Sequence, residues 1–153
     1  MSKRTEFNEA LKEAQKAKDT TSVSTLRLIL AALKDRDIAA RGLGNAEGVD
    51  ESEILSMLQS MIKQRNESAQ TYADAGRDDL AQQEMAEIEV IEKFMPAQMD
   101  EEEVEDTVVS LISELGATDI KDMGKVMGAL KSRYAGQLDM GKASGLVRAK
   151  LAS

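Results

Sequence analysis

Apolar residues recur along this chain three and four positions apart almost from end to end, and the runs are separated by residues that cap or stop helices. Phe7, Leu11 and Ala14 form the stripe of a first helix over 3–18, and Asp19-Thr20-Thr21-Ser22 breaks it and offers caps for the next. A second helix, 23–41, carries Leu26, Leu28, Ile29, Leu30, Ala31, Ala32 and Leu33. It is apolar on nearly every side, which predicts the buried centre of a small bundle. The stretch 42–49 is Gly-rich, lacks periodicity and reads as a loop. A third helix starts at Asp50 or Ser52 and keeps its period through Ile54, Leu58, Met61, Ile62, Ala69 and Tyr72. Ala75-Gly76-Arg77-Asp78 is a tight turn, after which Leu80, Ile88, Ile91 and Met95 return along a fourth helix. The two predict a long, projecting antiparallel hairpin.

The apolar pattern restarts in a new phase at Pro96, the only proline, so a boundary is expected at 95–99, with domains 1–95 and 96–153. Asp100 followed by Glu101, Glu102 and Glu103 starts a fifth helix that buries Val104, Val108, Leu111, Ile112 and Leu115 and stops at Gly116. Next comes Asp122-Met123-Gly124-Lys125, with Gly128, Leu130 and Lys131 behind it. The same arrangement recurs seventeen positions later as Asp139-Met140-Gly141-Lys142, with Gly145, Val147 and Arg148. Each Asp is expected to cap the helix that follows. The whole is predicted to be all-α, and its second domain to hold three helices.

Placed on a helix, the first copy aligns Met123, Val126, Met127, Leu130 and Tyr134, and the second aligns Met140, Ala143, Ser144, Val147 and Leu151. Gly124 and Gly128 lie roughly 110° and 150° from the middle of their stripe, surrounded by Lys121, Lys125 and Lys131. Gly141 and Gly145 also face away, flanked by Lys142 and Arg148. Each interior glycine costs about 0.8–1 kcal/mol relative to Ala, so four of them need a reason. One reason is the close approach of a neighbouring helix. The other is a side-chain-free, base-rimmed face that receives a polyanion backbone near two helix starts.

Charge sharpens the second possibility. The net charge is −8, yet residues 1–41 carry +3, residues 42–119 carry −16 and residues 120–153 carry +5. The repeat is thus a basic patch on an acidic protein. At 153 residues, without Cys or His, the chain has no disulfide, thiol nucleophile or thiolate metal site, and it lacks the commonest general base. No apolar stretch approaches a membrane span and the start reads as an amphipathic helix, so the expectation is a soluble cytoplasmic protein with no membrane contact.

Three groups of residues in order carry a family likeness: Leu26-Arg27-Leu28 with Ala31-Ala32-Leu33-Lys34, then Glu92-Lys93-Phe94-Met95-Pro96, then Met123-Gly124-Lys125-Val126-Met127-Gly128 with Gly136 and Asp139. Over nearly its whole length the sequence resembles the standalone YqeY proteins of the GatB/YqeY family. The resemblance implies an N-terminal helical domain with a long hairpin and a C-terminal three-helix domain similar to the tail of GatB. GatB is the tRNA-recognising subunit of a glutamine-dependent aminoacyl-tRNA amidotransferase, and its tail is understood to touch the tRNA elbow through glycine-containing helices. Carried over, the implied RNA-binding positions are Gly124, Lys125, Gly128, Lys131 and Gly136; the repeat adds Lys142 and Arg148. Related tails often place a base after the last glycine, where Gln137 stands here.

Such families are commonly labelled carbon-nitrogen ligases with glutamine as amido donor. The residues offer no activated nucleophile, no partnered base and no phosphate loop of an α/β unit, so independent catalysis is not expected. The carboxylate pairs Glu84/Glu87 and Asp100/Glu103 read as solvated faces, the nine Met as core filler, and Tyr72 and Tyr134 as too isolated to stack bases. No cofactor or metal is expected. Two functions stay open: a non-catalytic protein that binds tRNA by shape, and an accessory subunit of an amidotransferase or another enzyme that docks through the N-terminal hairpin.

Overall fold

Side-chain caps set where most of the helices begin. In the computed structural model, which describes residues 2–152, α1 (Lys3–Ala17) starts at Ser2 and α2 (Thr20–Gly42) at Asp19. Likewise α3 (Glu51–Asp74) starts at Asp50 and α5 (Glu101–Leu115) at Asp100, each cap accepting from a backbone N–H three residues on. Between them, α4 (Asp78–Glu92) begins without a side-chain cap. A 3-10 turn, Ile120–Asp122, leads into α6 (Met123–Arg133), and α7 (Met140–Ala152) completes the described chain. The protein is all-α, with no strand among the described residues. It divides into two compact units at Met95 and Pro96. Positions 1 and 153, the outer ends of the expected domains, lie outside the described residues.

In the N-terminal unit, Phe7, Leu26, Ile29, Ile54, Met57, Leu58 and Ile91 are almost wholly buried, and Phe7 meets Phe94 edge-on with ring centres 5.0 Å apart. The hairpin of α3 and α4 turns at Gly76, whose φ of 74° needs a residue without a Cβ. Between Lys63 and Glu87 only Ala69 is buried, so the outer part of the hairpin stands clear of the unit's core. A half-buried ion pair, Arg65 to Glu87 at 3.2 Å, ties its two arms together.

The expectation that α2 is buried on all sides needs correction. It buries Leu26, Ile29, Leu33 and Asp37, while Leu28 and Ile38 are 49% and 55% exposed. Its partners α1, α3 and α4 cover one face only, and the alanines that made the pattern look apolar all round lie partly on the uncovered side.

Asp37 is 6% exposed and organises the loop after α2. Its Oδ1 accepts from the Val49 N–H at 2.9 Å and from Arg4 Nη2 at 2.8 Å, and Arg4 Nη2 also reaches the Val49 carbonyl at 2.9 Å. Gly48, at φ 86°, passes so close that a Cβ there would stand 2.3 Å from Asp37 Oδ1.

Candidate functional site

The C-terminal unit packs α5, α6 and α7 around Val108, Leu111, Val126, Leu130, Leu138, Ala143, Val147 and Leu151. Asp100 and Glu103 form a reciprocal capping box at the start of α5: the Glu103 N–H donates to Asp100 at 2.8 Å and the Asp100 N–H to Glu103 at 3.5 Å. That pair serves the helix end, just as Glu87 of the other carboxylate pair serves Arg65. Among the described residues no cluster of His, Cys, Asp and Glu is arranged to hold a metal ion, and no helix is long and apolar enough to cross a membrane.

The two repeats fold alike in their middles and differently at their starts. In α6, Val126 and Leu130 are buried; in α7, Ala143 and Val147 take the matching places. Gly124, Gly128, Gly141 and Gly145 are all exposed. Beyond its own helix backbone and chain neighbours, a Cβ built at Gly124, Gly128 or Gly145 would meet no described atom within 4 Å, whereas one at Gly141 would stand 3.1 Å from Asp139 Oδ1. No described helix of the C-terminal unit therefore packs closely against the first three, and Gly141 makes room for a capping carboxylate.

Asp139 caps α7 as expected, its Oδ1 accepting from the Gly141 N–H at 2.8 Å and the Lys142 N–H at 3.2 Å. Asp122 does not cap α6. The preceding 3-10 turn gives it helical backbone angles, so its carboxylate turns back to the N–H groups of Thr118 at 2.9 Å and Asp119 at 3.4 Å. Those bonds, Thr118 first, hold the Asp122 carboxyl below its ordinary range. At the start of α7 the carboxylate of Asp139 already occupies the N–H groups that an anion would use, so any anion met there must be held by side chains.

The seven site residues expected from the sequence separate into three kinds. Gly124, Gly128, Lys131, Lys142 and Arg148 are exposed, and Lys131, Lys142 and Arg148 form no ion pair among the described residues. Lys125 is exposed but donates through Nζ to the Leu115 carbonyl at 3.2 Å, satisfying the end of α5. Gly136 does not share this face: it is buried in the turn between α6 and α7 at φ 77°, and its carbonyl accepts from Gln98 Nε2 at 2.7 Å. Gly145 belongs with the open glycines, and its place in the repeat, opposite Gly128, was the signal for it. Two further bases are engaged, Arg133 with Glu114 at 2.8 Å and Lys150 with Glu105 at 3.1 Å.

Fold and site together define an all-helical protein whose C-terminal unit exposes glycines among bases. The chain belongs to the Yqey-like protein family, whose model matches residues 4–151. It is similar to the protein named "Altered inheritance of mitochondria protein 41, mitochondrial" in three yeasts. With that of Clavispora lusitaniae it is 35% identical over 112 residues, 71% of this chain and 62% of the relative. For Eremothecium gossypii the identity is 34% over 87 residues, 57% and 45% of the two chains. For Saccharomyces cerevisiae it is 34% over 85 residues, 56% and 44%. The matched stretches span about half the length of these relatives.

The expected cytoplasmic location is overturned by these relatives, which are named as mitochondrial proteins.

Proposed function

We propose that the C-terminal unit binds the backbone of tRNA, recognising the shape of its elbow, and that the protein has no chemistry of its own and serves tRNA-dependent amidotransferase-type processes. The observation that carries this reading is the open space at Gly124, Gly128 and Gly145. Packing among the described helices of this unit does not use these glycines, although those inside a helix each weaken it by about 0.8–1 kcal/mol relative to Ala. A phosphate-ribose chain can approach such a face closely, and Lys131, Lys142 and Arg148 stand ready to pair with it. The resemblance of the sequence to the GatB/YqeY family, which implies a C-terminal domain similar to the GatB tail, supports the same reading.

Charge reversal is the test. Lys131→Glu and Arg148→Glu in the full chain should each weaken filter binding of a tRNA transcript and flatten the salt dependence by roughly 0.7–0.9 in log–log slope for each phosphate left without its base. Unchanged affinity and slope in both variants would defeat the proposal.

The exposed outer hairpin favours a second reading, an accessory subunit of a carbon-nitrogen ligase that docks through residues 63–87. On this reading the purified chain alone should release no ammonia from glutamine. Glutamine-dependent amide formation that rises when the chain is added to amidotransferase subunits, and falls when the hairpin is shortened, would support it.

A further inference from the structure

The outer face of α2 has no part in the RNA reading. It exposes Leu28 and Ile38 with Ala31 between them, and Arg27, Lys34 and Arg41 run along one edge. Seven-residue spacing returns each base to nearly the same angle, about 10.5 Å further along the axis. Arg27 and Lys34 form no ion pair among the described residues; Arg41 donates through Nε to the Ala46 carbonyl at 3.4 Å and adds to the field on Asp37. Asp35 is the one acid on this face. The result is an apolar stripe with a cationic border on one side.

Charge and shape choose among occupants. A second copy laid antiparallel about a two-fold axis would bring the basic edge against itself, because that axis keeps each edge on its own side of the pair. An RNA backbone would gain nothing from Leu28 and Ile38 and would press its phosphates on them. An anionic bilayer calls for a broader apolar face than one Leu, one Ile and small residues provide, and it would desolvate Asp35. We infer that the outer face of α2 is a docking surface for an acidic amphipathic helix of a partner protein. That helix lays its apolar stripe on Leu28, Ala31 and Ile38 and its carboxylates along Arg27, Lys34 and Arg41. A single helix face is smaller than the roughly 800 Å² per partner of a standard interface, so binding is weak and sensitive to salt.

The probe is a fluorescein-labelled synthetic peptide of about twenty residues, long enough to match the face, with a Leu/Ala stripe edged by Glu at every seventh position. A peptide of the same composition in scrambled order is the control. Anisotropy titrations on the full chain should show saturable binding of the patterned peptide, about tenfold or more tighter than the control. Arg27→Glu with Lys34→Glu, and separately Leu28→Ser with Ile38→Ser, should each weaken it about tenfold while the thermal melt stays in place. Absence of saturable binding, equal binding of the scrambled peptide, or indifference to both pairs of substitutions would overturn the inference. So would a loss of binding to tRNA or to phosphatidylglycerol vesicles in these variants without any peptide binding, since the face would then belong to that ligand.

Discussion

Asp37 carries a cost that its partners offset. Its carboxyl is held down to about 2, chiefly by the Arg4 hydrogen bond, with burial opposing and the Val49 N–H assisting. A carboxyl whose folded value is depressed contributes its full stability above the unfolded range near pH ~4, and that contribution is lost as pH falls through the folded value. Asp37→Asn should therefore lower stability at neutral pH by about 1–3 kcal/mol and flatten the acid side of a melting-temperature-against-pH curve between ~4 and ~2. An unchanged acid limb would mean that the Arg4 pair is not held in solution. Gly48→Ala should cost a similar amount, about 1–3 kcal/mol in a denaturant titration, because its backbone is left-handed and its Cβ would meet Asp37. Asp37 does break the apolar period of Leu26, Ile29 and Leu33, but neither effect was legible in the sequence, since its partner stands thirty-three positions away.

At the scale of elements, the helices and most of their ends could be read in advance, because caps and periodicity act within a few residues of one another. The buried stripes of α5, α6 and α7 also follow the pattern, as Val108, Leu111, Val126, Leu130, Val147 and Leu151 show. Reading failed where a neighbour decided the outcome. The exposure of Leu28 and Ile38 depends on which sides of α2 find partners, and the role of Asp122 depends on a 3-10 turn that the repeat does not reveal. The two repeats should accordingly respond differently to the same change. Asp139→Ala should remove a helix cap and cost about 1 kcal/mol, with faster hydrogen exchange at the Gly141 and Lys142 amides. Asp122→Ala should leave the first amides of α6 as protected as before and expose those of Thr118 and Asp119 instead. Matching exchange patterns at the two helix starts would contradict this division.

For the whole molecule, the charge map and the two units have different boundaries: the acidic stretch 42–119 runs across the division at Met95 and Pro96, and the C-terminal unit has a core of its own. Residues 97–153 are expected to fold and stay soluble alone, and limited proteolysis of the full chain should cut first at 95–101 or at 42–49. A fragment 97–153 without a cooperative melt would break that layout. The geometry of the candidate site was legible in part. The repeat marks the open glycines and the bases beside them, but it cannot show that Gly136 is buried in a turn or that Lys125 closes the end of α5. A single variant, Gly128→Leu, measured by a thermal melt and by tRNA filter binding, probes the role of the open glycines with the fewest intervening steps. With no described atom beyond its own helix backbone and chain neighbours within 4 Å of the new Cβ, the side chain should keep or raise stability, by up to about 0.8 kcal/mol through helix propensity, while tRNA affinity falls. Unchanged tRNA affinity with lower stability would contradict RNA binding at this face, because the glycine would then serve the fold.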